Sequence, residues 1–457
     1  MIWLWILIPT ILAAVLFYVK KLPFQYYFIA LLPIQLYGFS IFGFTVKLFM
    51  VYAFVLFVYL LVKFKKRVFH TLRIPLRPLI ILACVLLNLY LTDIINKSFL
   101  SSSFSAHTVL LITFFCLLVF FCSICDDAEW VSHLKNALVL SSGSFGSFFL
   151  LVFLLVTWGV NLPGFTFQLR VSGSLSDGIV GIYATSGVNQ YRLRGFGVDP
   201  NEFASLFYLP SSLLFFSLAN NRDKKSLFQK IGLLLINGAN IAFSQSRTAY
   251  VVFALLAIGS LIYVAFLINR KYRVQAFIGA SAVLLLMGIT ALIVAKGNII
   301  SFFASRSDPT DPYGRLTIWQ TATKKWLGTN PIFGLGQGVK TNEAGLDCHN
   351  TWLEFLVGNG LFGGVPVLGF FAYVLVLFVL RIRSLYLQNN WQGKIDFLGI
   401  FFGFLSVIGA AFTFTFISSP DLWFSLLFGL SCYAYLSKPG YKGKNKRKVI
   451  SYSFLEC

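Results

Sequence analysis

Apolar runs of about 20 residues recur along almost the whole chain, and that is the length a helix needs to cross the hydrocarbon core of a bilayer. Runs near 2–19, 24–42, 45–62, 79–95, 105–124, 137–158, 202–219, 230–246, 248–268, 274–295, 361–380, 395–417 and 421–436 predict thirteen spans, or twelve because the first three crowd together. Each run is continuously apolar and lacks the period-two alternation of a membrane β-barrel. The expected fold is therefore an all-α integral membrane protein of about 12–13 transmembrane helices. With 58% hydrophobic and 12% charged residues, a soluble globule is excluded. The first run, "MIWLWILIPT", lacks a basic leader and reads as a span rather than a cleaved signal peptide.

Cations orient the chain. Lys20–Lys21, "KFKKRVFHTLRIPLR", Lys135, "RDKKSLFQK", "RKYR", "RIRSLYLQNNWQGK" and "KPGYKGKNKRK" hold most of the 37 basic residues and fall on one side if the spans alternate. Short cytoplasmic loops carry such an excess, which places two long polar connections, 159–201 and 296–360, on the periplasmic side. The expected organisation is N-terminal spans in 1–158, a first outer loop 159–201, central spans 202–295, a second outer loop 296–360 with short amphipathic helices, and C-terminal spans with a basic tail in 361–457. The net charge of +21 is mostly this topology signal; it brings attraction to membrane lipids and no expectation of nucleic-acid binding. Cys348 is the single cysteine of the outer loops, so no disulfide is expected there, and the CxxC of Cys122 and Cys125 reads as packing.

Ionisable groups are scarce inside the spans; Asp93, Arg247, Glu202 and Lys47 stand at or near outer ends. A transporter would hold charge partway across the bilayer, so rim placement favours chemistry at the outer leaflet. Three stretches concentrate it. In "YRLRGFGVDPNEFASLF" (191–207), Arg192 and Arg194 precede a helix start that Asn201 can cap, which makes an anion site. In "NGANIAFSQSRTAY", Asn237, Asn240, Ser244 and Arg247 share one helical face; polar contacts between helices explain the Asn and Ser residues as well as function does. In the loop 296–360, an amphipathic helix is expected after Pro312, with Leu316, Trp319, Thr323 and Trp326 on its apolar face and Arg315 elsewhere around it, ending near Gly328. "IFGLGQG" is glycine-rich without the strand and helix of a nucleotide loop. His349 then precedes a helix capped by Asn350. Cationic surroundings there favour the neutral imidazole that a general base needs, and Glu354 is the competing base.

"RLRGFGVDPNEFA", "SQSRTAY", "GRLTIWQTATKKWLGTNPIFGLGQG" and "HNTWLEFLVGNGLFGG", in this order with two long outer loops, resemble the O-antigen ligase and O-antigen polymerase superfamily over roughly residues 190–365. The resemblance implies a GT-C-like glycosyltransferase of the bacterial inner membrane working at its periplasmic face on an undecaprenyl-diphosphate-linked oligosaccharide. It implies a glycan acceptor for a polymerase and a lipid A core acceptor for a ligase, with a chain-length regulator as a candidate partner. Carried onto this sequence, Arg192 and Arg247, with Arg194 and Arg315 beside them, would bind the diphosphate. His349 would stand near the acceptor hydroxyl, and Asn201 and Asn350 would support the site. No cofactor and no metal are implied, and Asp308 and Asp311 form no DxD pair. The form of "RGFGVDPNEFA" leans toward a polymerase; a ligase is the alternative, and a lipid-linked oligosaccharide flippase is the reading of another class.

Overall fold

The apolar runs fold as helices. A computed structural model of the protein describes residues 2–64, 74–96, 102–162, 180–267, 315–336 and 348–436, with short interruptions inside these ranges and isolated positions between 281 and 292. Its helices are α1 (Ile2–Val19), α2 (Leu48–Phe64), α3 (Leu76–Ile95), α4 (Ser102–Ser123), α5 (Trp130–Thr157), α6 (Pro200–Ser205), α7 (Tyr208–Leu218), α8 (Lys224–Phe243), α9 (Arg247–Leu267), α10 (Arg315–Thr329), α11 (Thr351–Leu387), α12 (Trp391–Ala410) and α13 (Pro420–Leu436). Among the described residues, α3, α4, α5, α8, α11 and α12 are long and apolar enough to cross a membrane. The protein is a helical, multi-pass membrane protein. The expected span 274–295, the loop residues 296–314 and the basic tail lie outside the described residues.

The run 24–42 is not an α-helix. Residues Phe24–Ile34 form a 3₁₀ helix, and β1 (Gly38–Ile41) and β2 (Phe44–Lys47) pair as an antiparallel hairpin behind it. Pro23 stands at the N-cap, and Pro33, inside the segment, lacks the backbone donor that a regular helix would use there. At about 2 Å per residue the 3₁₀ helix still covers roughly 22 Å. One end is fixed where the Tyr26 hydroxyl donates to Asp127 Oδ2 (2.6 Å) in the α4–α5 connection. At the other, the Gln35 amide donates to Glu202 Oε1 (3.4 Å) on α6.

Two further departures shape the loop end of the bundle. The expected span 202–219 is divided into α6 and α7, with the Leu206 and Phe207 N–H groups reaching back only three residues to Phe203 and Ala204. In α11 the backbone leaves helical geometry at Gly360 (φ 65°). Two helical bonds are exchanged there for four bonds to the segment 331–336. The Leu361 and Phe362 N–H groups donate to Pro331 and Ile332 carbonyls (3.0 and 2.9 Å), and the Val357 and Gly358 carbonyls accept from Leu335 and Gly336 (2.8 Å each). The glycine-rich stretch is thus a strap that satisfies the backbone groups freed by the kink. Contact is close enough that a Cβ on Gly360 would sit 2.2 Å from the Ile332 oxygen, and one on Gly334 2.4 Å from the Gly358 oxygen. α3 locks the arrangement: the Asn96 amide donates to the Phe333 carbonyl (2.8 Å), the Asn88 amide to that of Phe362 (2.6 Å), and Thr92 Oγ1 lies 3.1 Å from Asn359 Oδ1.

Candidate functional site

The first outer loop, read as a Gly/Ser-rich connection, contains a hairpin of β3 (Val180–Thr185) and β4 (Val188–Leu193). β4 delivers Arg192 to the end of α8. Its Nε donates to the Ser244 carbonyl (2.9 Å) and its Nη2 to the Gln245 carbonyl (3.3 Å), a cation at the negative end of the helix dipole. Gln245 turns the chain in the left-handed region (φ 51°). Ser246 then caps α9: its Oγ accepts from the Ala249 N–H (3.1 Å) while its proton goes to Asn201 Oδ1 (2.5 Å). Arg247 is the first residue of α9; its side chain lies outside the described residues. One turn of chain, 244–248, therefore joins β4, α6, α8 and α9.

α10 spans from this elbow to the histidine. At its start, Arg315 Nη1 donates to Thr248 Oγ1 (3.3 Å), and one turn later Trp319 Nε1 donates to the Cys348 carbonyl (2.9 Å). Residues four apart share a helix face, so the elbow and the turn 348–350 flank the same side of α10. His349 is half-buried with φ 49°. Such a conformation costs a non-glycine residue on the order of 1 kcal/mol or more and is held only by its surroundings. Asn350 Oδ1 accepts from the Trp352 and Leu353 N–H groups (3.1 Å each), Glu354 Oε2 accepts from the Cys348 N–H (3.2 Å), and the Thr351 N–H donates to the Ala411 carbonyl (2.7 Å). Asn350 caps α11 as the sequence suggests. Glu354 folds back as a second clamp on the turn.

Several expectations are corrected. Asn201 does not cap the helix it sits on, because α6 begins at Pro200 and leaves Asn201 inside the first turn; it accepts from Ser246 instead. Asn237 reaches Ser142 Oγ (3.4 Å) and Asn240 the Gly146 carbonyl (3.0 Å), so the Asn stripe binds α8 to α5. The face of α10 that packs is Ile318, Ala322 and Trp326, against Cys348 and Val357, while Leu316 is exposed. Arg194 is buried next to β4. Ser246 and Gln245, which set the elbow, were not singled out in the sequence; a Ser immediately before the apolar run of α9 is the capping signal that was there to find. Beside α6, burial lowers the pKa of the Lys47 ammonium, and the Glu202 carboxylate raises it again.

The elbow, the start of α10, the strap and the His349 turn all fall in one contiguous stretch of sequence that can be compared with known families. Residues 232–368 match the O-Antigen ligase family. This match takes in "SQSRTAY", α10, the strap and "HNTWLEFLVGNGLFGG", and stops short of Arg192, Arg194 and Asn201. It agrees with the resemblance to the O-antigen ligase and polymerase superfamily and supports a surface-polysaccharide glycosyltransferase or ligase role. No curated protein matches the chain.

Proposed function

We propose that the protein is a glycosyltransferase of the bacterial inner membrane that acts at its periplasmic face, moving a glycan from undecaprenyl diphosphate to an acceptor hydroxyl without a metal. The observation that carries this reading is the linkage of Arg192, Arg315 and the α9 N-terminus at one elbow, tied through Trp319 to the His349 turn. Displacement at the anomeric carbon leaves a diphosphate, whose growing charge calls for donors already in place: Arg247 and Arg315 beside the α9 N-terminus, with Arg194, two residues beyond Arg192 in the chain. His349 takes the proton of the acceptor hydroxyl, and a single displacement inverts the anomeric centre. Glu354, clamped to the Cys348 N–H, positions the turn rather than acting as base. Arg192 acts through the elbow, and Asn201 and Asn350 support the two turns.

The acceptor we favour is a second lipid-linked repeat unit, which makes the protein a polymerase, with a chain-length regulator as partner. The description of the matched family favours the second reading, transfer to lipid A core. Purified protein in liposomes with labelled lipid-linked repeats should give longer lipid-linked products; with added core it should give core-linked product if the ligase reading is right. Movement of the label between leaflets without any transfer would remove the enzyme reading in favour of a flippase. In a deletion strain, cores bearing single repeats indicate a lost polymerase, and bare core with accumulated lipid-linked polymer a lost ligase.

A further inference from the structure

Away from the elbow, between the 3₁₀ helix, α5, the α6–α7 break, α12 and α13, lies a cavity of about 50 Å³. One water needs roughly 10–15 Å³, so the space holds a few waters or a small ion with part of its shell. Its polar wall is Asp421, Ser141, Ser142 and Ser205, from three helices, set among apolar side chains.

The charge and proton inventory of this wall does not close. Asp421 Oδ2 lies 3.0 Å from Ser205 Oγ and 3.4 Å from Ser419 Oγ, and the carboxylate also accepts from the Gln35 amide. Ser205 has one proton, and its Oγ is also 2.7 Å from the Glu202 carbonyl, a nearer acceptor. That proton cannot serve both. Among the described ion pairs none engages Asp421. Glu202, the other carboxylate that Gln35 reaches, has Lys47 as its electrostatic counterpart. Gln35 Oε1 is itself buried without a donor. One carboxylate without an ion pair among the described residues thus faces the cavity inside the helical bundle, where an uncompensated charge is unfavourable. Leu206 and Phe207, at the break between α6 and α7, also line the cavity. A broken helix there frees backbone carbonyls, the arrangement in which membrane proteins hold small cations.

We propose that this cavity binds a single sodium ion, a monovalent hard cation, with Asp421 as its charged ligand and Ser205 as a hydroxyl ligand. The polar groups of the wall are all oxygens, which suits such an ion, and one carboxylate balances one positive charge. Ser205 and Asn201 are on the same short helix, so occupancy sets the seat of α6 beneath the Ser246 cap. The proposal is independent of the transfer reaction.

The test uses the full chain in detergent at constant ionic strength, exchanging sodium chloride for choline chloride, and reads the thermal unfolding midpoint beside the infrared spectrum. A sodium-specific rise in the midpoint, diminished in Ser205→Ala and lost in Asp421→Asn, identifies sodium. No sodium response in the wild type, or an equal response in wild type and Asp421→Asn, overturns the proposal, and so does a protonated-carboxyl band of Asp421 that persists in saturating sodium. If Asp421→Asn does not fold, Ser205→Ala decides: an undiminished sodium response in that variant overturns it.

Discussion

Arg192→Ala separates the two roles an arginine can have at this site. The guanidinium donates at 2.9 Å to the Ser244 carbonyl and at 3.3 Å to that of Gln245, so its loss uncaps α8 and frees the left-handed turn that presents α9. Hydrogen bonds from a charged donor contribute about 1.5–3 kcal/mol each, and the longer contact falls at the low end, so the pair is worth about 3–4 kcal/mol if nothing replaces it. Water entering from the loop end recovers part, leaving about 2 kcal/mol, which corresponds to about a thirtyfold loss of turnover if the elbow must be formed for reaction. The expected result is a lowered unfolding midpoint in detergent and a parallel fall in transfer of labelled lipid-linked glycan in liposomes. Arg192→Lys should recover little, since a point charge on a flexible stem does not reproduce a fork across two carbonyls. Arg247→Ala is the contrast: transfer is lost while the midpoint stays near wild type. An Arg192→Ala protein that melts like wild type yet has lost turnover refutes the fastening role and returns this guanidinium to the substrate.

His349→Gly should abolish transfer while leaving stability unchanged or raised by up to about 1 kcal/mol, because glycine relieves the left-handed strain; denaturation and activity assays on one preparation check both. Gly360→Ala should cost about 2–6 kcal/mol, the worth of the four strap bonds its Cβ would disrupt, whereas Gly369→Ala, with open space at its Cβ, should melt like wild type. Glu354→Gln keeps an acceptor for the Cys348 N–H, so transfer should fall by no more than about fivefold, the kinetic equivalent of about 1 kcal/mol; complete loss would make Glu354 the base.

The membrane fold was legible because an apolar run of spanning length has few alternatives, and the runs at α3, α5 and α12 fold close to where hydropathy puts them. Local backbone chemistry was harder to read. The run 24–42 was expected to be an α-helical span, yet Phe24–Ile34 forms a 3₁₀ helix and the chain then turns into the β1–β2 hairpin. The β3–β4 hairpin hid in a stretch rich in Gly and Ser, although "VGIYAT" and "VNQYRL" around "SG" carry a hairpin pattern. Within the site, the Asn350 cap could be read because capping is local in sequence. The engagement of Arg192 with Ser244, 52 residues away, could not, since nothing in either segment names the other. "IFGLGQG" was opaque for the same reason: its glycines answer a kink about 25 residues downstream, not a ligand.

The backbone of α11 leaves helical geometry at Gly360, six residues before Pro366, where main-chain bonds are exchanged with the strap. Straightening the helix would strip partners from the Leu335 and Gly336 N–H groups and the Pro331 and Ile332 carbonyls together, in surroundings that offer little water to replace them. The outer third of α11 consequently travels with the strap and α3, not with the shaft below it. A displacement of the shaft therefore reaches the histidine turn through the kink alone, while the strap, α3 and, by way of Thr351 and Trp352, α12 hold that turn in place.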